Sequence, residues 1–215
     1  MKRVWLWLGF VVLYAGVVHA QYPSITRPVG AGEVDLMSVP YLVDGGNTIS
    51  NVFQSAAPNT TIYVWDTSIQ VWQGCTKTSK GWTAGADKEL LRGEGFFVQS
   101  WTDQQFFLSG GIPGSPAAIP VDSESMVLAY PFPVDVLWTN TELSKLLPAC
   151  STVSFWSRAE GSWARNYLKA PAAKGGGWGE EAAAYRIPAG DGFVVRQPPG
   201  SPAFLWIQTN IAWPN

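Results

Sequence analysis

Histidine is almost absent from this chain: His19 is the only one in 215 residues. It stands near the end of a segment with the pattern of a secretory signal peptide, in which Lys2-Arg3 precedes an apolar run from Val4 to Val18. We expect cleavage after Ala20. The mature chain would then contain no histidine, which excludes a Ser-His-Asp triad, a Cys-His pair and a His-ligated metal within one chain. We expect no metal site and no cofactor.

Charge is also scarce, at 14% of the residues. Loss of Lys2 and Arg3 with the leader leaves 12 of the 14 basic residues against 16 acidic ones, with no basic cluster. This balance does not favour binding to nucleic acid or to an anionic membrane. The apolar run is short and ends abruptly at polar residues, which favours a cleaved leader over an uncleaved anchor. We therefore expect a secreted, periplasmic or cell-surface protein that is free of the membrane after cleavage.

The chain has only two cysteines, Cys75 and Cys150. An even pair in an exported protein favours a disulfide. A bridge within the chain would close a loop of about 75 residues and stabilise the fold by about 4 kcal/mol on the chain-entropy estimate. An intermolecular bond is the alternative.

Glycine, proline and aromatic residues are abundant, with 22 glycines, 16 prolines and 12 tryptophans. Many turn-forming and aromatic residues with little charge are typical of short strands joined by frequent turns. The composition therefore predicts a mainly β protein.

A short motif occurs twice and sets the register of the chain. Gly93-Glu94-Gly95 is followed by an apolar run, and so is Gly190-Asp191-Gly192. Upstream of the motif, Trp65 and Trp156 stand 91 residues apart in similar strand patterns. We therefore expect two tandem homologous β-rich modules, each a small sandwich or barrel with one short helix.

The expected divisions follow from this register. They are a signal peptide (1–20), an N-terminal arm (21–33), a first β repeat (34–110), a linker (111–120), a second β repeat (121–210) and a C-terminal tail (211–215). The arm is polar and has no apolar period, so disorder or simple packing is favoured over an added strand.

The helix of each repeat is predicted from the i, i+3, i+4 spacing of apolar residues. Ile49, Val52 and Phe53 form this pattern in the first repeat, and Leu143, Leu146 and Leu147 form it in the second.

The two copies differ in one loop. The offset is 91 up to Trp72 and Trp163 and becomes 97 at the glycine motif, where we also match Phe107-Leu108 with Phe204-Leu205. An insertion of proline, alanine, lysine and glycine before Trp178 accounts for most of this difference. If the protein has a specific site, this asymmetry makes the Lys174–Trp178 loop the place to expect it.

The first copy carries an ordered series of short motifs: Leu36-Met37-Ser38-Val39-Pro40, Gly46-Asn47-Thr48, Val64-Trp65-Asp66, Gly81-Trp82 and Gly93 to Val98. The second copy is degenerate, with Ser157 in place of an aspartate and Asp191 in place of a glutamate. This order of parts resembles a repeat of secreted bacterial proteins of the planctomycete and verrucomicrobial type. The resemblance covers nearly the whole mature chain and implies an exported β-rich module, without implying catalytic residues.

The repeated carboxylates Glu94 and Asp191 have two interpretations. They could be acids, nucleophiles or calcium ligands. A carboxylate between two glycines also accepts backbone N–H groups in a tight turn, and this second interpretation explains every residue of the motif.

The tryptophans are the best functional lead. Most of those at matched positions are expected in the core, because tryptophan is highly buried on average. Trp101, Trp138 and Trp178 are expected to be exposed and are the candidates for contact with a ligand or partner.

The leading hypothesis is a non-enzymatic secreted structural, matrix or adhesive protein that self-associates through sheet edges or the N-terminal arm. A carbohydrate-binding module that uses exposed tryptophans on an extracellular glycan is the alternative. An enzyme that relies on carboxylates alone is the third hypothesis.

Overall fold

The computed structural model describes residues 24–209. The predicted signal peptide, the first residues of the predicted arm and the tail at 211–215 lie outside the described residues.

The described residues form many short strands and a few short helices. The first half of the chain contains β1 (Ser24–Val29), β2 (Val34–Met37), α1 (Ile49–Val52), β3 (Thr61–Asp66), β4 (Val71–Thr78), β5 (Gly81–Trp82), β6 (Phe96–Gln99) and β7 (Gln104–Ser109). The second half contains β8 (Ala117–Val121), β9 (Ser125–Ala129), β10 (Val136–Leu137), α2 (Glu142–Leu146), β11 (Thr152–Ser157), β12 (Ser162–Ala170), β13 (Gly177–Trp178), α3 (Glu180–Ala183), β14 (Arg186–Ile187), β15 (Gly192–Arg196) and β16 (Phe204–Gln208). Single 3₁₀ turns cover Trp138–Asn140 and Ala172–Lys174.

Two five-stranded antiparallel sheets dominate the fold. The first has the order β2-β6-β3-β4-β5, and the second has the order β9-β15-β11-β12-β13. The prediction of a mainly β protein is therefore confirmed. None of the sheets among residues 24–209 closes into a barrel.

Two further strand pairs lie partly in the segments predicted as arm and linker. β1 pairs with β7, so Ser24–Val29 of the predicted arm form a strand. β8 pairs with β16, so the predicted linker at 111–120 already contains the start of a strand. Both segments alternate exposed and buried residues, but prolines and short length hide this period in the sequence.

The predicted register is wrong at the last strand. Phe106 and Trp206 are the buried residues at equivalent positions of β7 and β16, each opposite the buried centre of β1 or β8. The offset there is 100 rather than 97, because the turn before β16 is longer than the turn before β7.

Each half has its own hydrophobic core. We call the core of the first half core 1 and the core of the second half core 2. In the first half the end of α1 contacts both the five-stranded sheet and β7, and in the second half α2 contacts β16. Phe53, at the end of α1, contacts Phe96 and Phe106 with ring centroids 5.8 and 5.3 Å apart. Burial of these aromatic side chains compensates for helices that are too short to be stable alone.

The helix predictions hold in part. Thr48 and Thr141 cap α1 and α2, and each side chain accepts a hydrogen bond from the backbone N–H three residues on. Leu146, predicted on the buried face of α2, is 48% exposed because the helix ends at that residue. The second half also contains α3, so the expectation of one helix per repeat is wrong there.

The predicted disulfide is absent. Cys75 and Cys150 are both free: Cys75 is buried in core 1, whereas Cys150 is exposed in the second half. Cys150 lies in a left-handed turn before β11, and a bridge needs the two sulfur atoms about 2 Å apart. One thiol is buried and the other is exposed. The spacing of the two cysteines along the chain does not reveal this difference.

The second face of each large sheet is turned toward the other half. Leu36 in β2 packs against Val127 in β9 and Val194 in β15, with Trp65, Phe97 and Trp156 around them. We call this contact the central cluster. It buries the side chains that alternate with the core residues of the same strands.

The repeated glycine motif makes a reciprocal contact between the halves. Gly95 N–H donates to Val127 O at 3.1 Å, and Ala129 N–H donates to Gly93 O at 2.9 Å. In the opposite direction, Ser38 N–H donates to Gly190 O at 2.9 Å. Each motif thus covers the free edge of a strand in the other half, which protects that edge from pairing with other chains.

Glycine is required at Gly95 because of this close approach. A Cβ atom there would lie 2.9 Å from the carbonyl oxygen of Leu128 and 3.0 Å from a methyl group of Val127. Gly95→Ala is therefore expected to lower the free energy of unfolding by about 1–3 kcal/mol, the usual cost of overpacking. Urea unfolding measures the change.

Gly114→Ala is the matched control. Gly114 is exposed and a Cβ atom there would meet no atom within 4 Å, so its effect is expected to stay within about 0.5 kcal/mol. Equal stability of the two variants would contradict the contact.

Candidate functional site

The three tryptophans predicted to be exposed have different environments. Trp101 is 62% exposed after β6, as predicted. Trp138 is fully buried, so the prediction is wrong there: its ring packs against Phe155 and Phe193 in core 2 at 5.6 and 5.5 Å. Trp178 is half-buried, because its indole N–H donates to Ser144 O at 2.9 Å and its ring packs on Trp138.

A different pair of tryptophans is half-exposed. Trp72 and Trp163 are 36% and 40% exposed, and each lies across a hairpin from Trp65 or Trp156. Both lie at matched positions, where core tryptophans are predicted from the sequence. Both lie at hairpin ends, beyond the last core residue of the strand. This position is the sequence signal that distinguishes them from the buried tryptophans.

These four indoles and Phe97 form one aromatic cluster at the contact between the halves. The ring centroid of Phe97 lies 5.0 Å from Trp72, 5.2 Å from Trp156 and 6.1 Å from Trp163. Trp65 contacts Trp72 at 5.2 Å and donates its indole N–H to Ser125 O across the contact at 3.1 Å. The inner rings belong to the central cluster, and the outer two face solvent.

The two repeated carboxylates also differ. Glu94 Oε2 accepts the N–H of Leu91 at 3.1 Å, which is the turn contact that the motif predicted. Asp191 instead pairs with Arg27 at 2.5 Å and with Arg158 at 2.6 Å. Only the first copy of the motif therefore has the predicted side-chain contact.

Asp191 belongs to an ionic cluster of Arg27, Asp35, Arg158 and Asp191, in which only Arg158 is exposed. Arg158 donates to Asp35 at 2.9 Å, and Arg27 also donates to the carbonyl of Ala189. Arg27 and Asp35 are each 2% exposed. Pairing offsets part of the cost of burying these charges. The pairs join β1 and β2 of the first half to the second half.

Burial raises the pKa of both Asp35 and Asp191. It raises the pKa of Asp35 to about 7 against the opposing attraction of Arg27. It raises the pKa of Asp191 to about 6, again against Arg27.

A pocket of about 620 Å³ lies between the halves. Its walls come from the turn after β3, from the segment before β6 and from β8 and β9. No residue of the Lys174–Trp178 loop lines it, so the expectation of a site at that loop finds no support there. The lining includes Trp65, Asp66, Thr67, Lys88, Glu89, Leu91, Arg92, Glu94, Ile119, Asp122 and Met126.

Glu94 is the most buried acid of this pocket. Its burial raises the pKa of the carboxyl, against the hydrogen bond from Leu91 and the attraction of Lys88. Arg92 is held at the wall, where it donates to Pro116 O at 2.7 Å and lies 5.5 Å from the ring of Phe132.

A smaller cleft of about 320 Å³ lies beside the ionic cluster. Asp35 and Arg158 line it, together with the start of β2 and the turn after β11.

Within residues 24–209, no three histidine, cysteine, aspartate or glutamate side chains come together as a metal site. No helix in the same range is both long enough and apolar enough to cross a membrane.

No protein-family model, curated protein or solved structure matches the chain. The resemblance to secreted planctomycete and verrucomicrobial proteins therefore stays a prediction.

The raised pKa values of Asp35 and Asp191 make the free energy of unfolding depend on pH. Both lie above the ordinary value of 3.8, so the folded chain binds these protons more tightly than the unfolded chain. The contribution of the two groups to the free energy of unfolding is then largest below about pH 4 and falls as the pH rises to about 7. Asp35→Asn is expected to make this fall shallower, measured by urea unfolding at several pH values.

Asp87→Asn, which removes an exposed carboxylate, is the control and is expected to leave the slope unchanged. A slope that Asp35→Asn does not alter would show that Asp35 titrates normally.

Proposed function

We propose that the chain is a duplicated, secreted and non-enzymatic protein that binds an extracellular glycan through its aromatic cluster. One observation carries this proposal: Trp72 and Trp163 are half-exposed on either side of Phe97. Indole rings with a supported inner edge and a solvated face offer apolar area for the faces of sugar rings.

Duplication is supported by the matched order of strands in the two large sheets. It is also supported by the equivalent threonine caps of α1 and α2 and by the reciprocal contacts of the glycine motifs. Under this proposal Trp72 and Trp163 are copies of one residue, brought together because the halves pack face to face.

The cluster supports binding rather than catalysis. Each outer indole has an inner neighbour that fixes its orientation, so little side-chain entropy is lost when a ligand stacks on it. The ring centroids of Trp156 and Trp163 are 5.2 Å apart, as are those of Trp65 and Trp72, so both sides of the platform have similar support.

Titration with soluble polysaccharides tests this function, with tryptophan fluorescence and calorimetry as the readouts. Trp72→Ala and Trp163→Ala are each expected to weaken binding roughly tenfold, because buried aromatic anchors dominate such contacts. Trp101→Ala removes an exposed indole that has no place in the cluster and is the matched control.

If Trp72→Ala and Trp163→Ala both retain binding and Trp101→Ala loses it, the glycan binds at Trp101 and not at the aromatic cluster. Absence of binding to every polysaccharide would reject glycan recognition.

A second candidate is the structural, matrix or adhesive function, in which copies of the chain associate. The outer face of the β8–β16 pair supports it, since Leu205 and Ile207 are 50% and 51% exposed beside Ala118 and Pro120. Contiguous exposed apolar side chains on one sheet face are typical of an interaction surface.

Sedimentation velocity over a range of concentrations tests self-association. The wild-type chain is expected to form dimers or larger species, and Leu205→Ser with Ile207→Ser is expected to shift it to monomers, because it removes the apolar face. Leu146→Ser, at an exposed leucine elsewhere, is the control. A wild-type chain that stays monomeric at every concentration would contradict this candidate.

A further inference from the structure

The large pocket and the smaller cleft occupy equivalent positions in the two halves. Thr67 and Arg158 are 91 residues apart and each begins the turn after the same hairpin strand. Glu94 in the pocket and Asp191 beside the cleft are the carboxylates of the two glycine motifs. The two openings are thus built on one backbone pattern with different side chains.

The neighbouring strands extend this equivalence. A Cβ atom on Gly93 would meet Ile119, and a Cβ atom on Gly190 would meet Arg27. Ile119 in β8 and Arg27 in β1 are therefore counterparts at the two motifs.

Beside the smaller cleft, a guanidinium group of the chain itself pairs with the motif carboxylate. Arg158 reaches from its turn to Asp191 at 2.6 Å and to Asp35 at 2.9 Å, in two charge-assisted hydrogen bonds. Arg27 supplies a second guanidinium to the same aspartate. The carboxylate of the second glycine motif is thereby neutralised from two sides.

The pocket has the equivalent carboxylate, Glu94, but has no counterpart of Arg27 or Arg158. Thr67, which replaces Arg158, is short and exposed, and Ile119, which replaces Arg27, is apolar. Within the described residues, no salt bridge reaches Glu94. The lining carries four carboxylates, and its two cations are Lys88 and Arg92, of which Arg92 is held at the wall.

The geometry points to an arginine-binding site: the pocket accepts the guanidinium group of an arginine side chain on a partner polypeptide, in the way that Asp191 accepts the guanidinium group of Arg158 beside the smaller cleft. Glu94 receives the charged group, and Trp65, Leu91 and Met126 cover the apolar stem. The volume of about 620 Å³ leaves room for residues that flank the arginine. The inference rests on the proposed duplication and is independent of glycan binding.

Calorimetry with a peptide copied from residues 157–161, Ser-Arg-Ala-Glu-Gly, blocked at both ends, tests the site. The same peptide with citrulline in place of arginine keeps the shape and removes the charge. It is expected to bind at least about tenfold more weakly, since hydrogen bonds to a charged group are the strong ones. Blocked free arginine is expected to bind more weakly than the peptide. Equal or tighter binding of free arginine would overturn the polypeptide as the source of the ligand.

Three variants locate the binding. Glu94→Gln keeps an oxygen for the N–H of Leu91 and removes the charge, so peptide affinity is expected to fall at least about tenfold. Thr67→Arg supplies from the chain the guanidinium that the pocket lacks and is expected to abolish binding while the fold is kept. Ile69→Arg adds the same charge to the same turn outside the lining and is expected to bind normally.

Absence of peptide binding to the wild-type chain would overturn the inference. Equal affinity of the citrulline peptide, or binding that survives both Glu94→Gln and Thr67→Arg, would also overturn it. Glycan titration of the same variants is a separate readout, so failure of this site and failure of the glycan proposal are distinguishable.

Discussion

The fold depends on the close approach of each glycine motif to a strand of the opposite half. Gly95 lies against the backbone of Leu128, and a Cβ atom on Gly192 would lie 2.7 Å from Leu36. Glycine has no side chain, so the two halves can meet closely at both contacts. This close approach buries the central cluster and brings Trp72 and Trp163 to one surface. The same approach creates the two openings between the halves, whose side chains differ.

Much of the fold could be predicted from the sequence because the strands repeat their pattern. The similar patterns around Trp65 and Trp156 identified matched strands, and the apolar spacing identified both helices. β1 and β8 were missed because each is short, contains proline and pairs with a strand far along the chain. Pairings of that kind depend on tertiary contacts that local propensity does not encode.

The candidate site was less predictable. The glycine motif was recognised, but its partners Ser38, Val127 and Ala129 lie in the opposite half, and no local pattern marks them. Trp138 was expected at the surface, yet it lies in core 2 because a 3₁₀ turn directs it inward. The different environments of Glu94 and Asp191 depend on Arg27 and Arg158, which are far from both motifs in sequence.

The halves form one packed unit through the glycine motifs. Amide hydrogen exchange followed by NMR measures this directly at Ser38, Gly95 and Ala129, whose N–H groups donate across the contact. We expect these amides to exchange as slowly as the amides of the core strands, since they open only when the whole unit unfolds. Exchange as fast as that of the exposed turn at Thr67 would contradict it and would mean that the halves are independent.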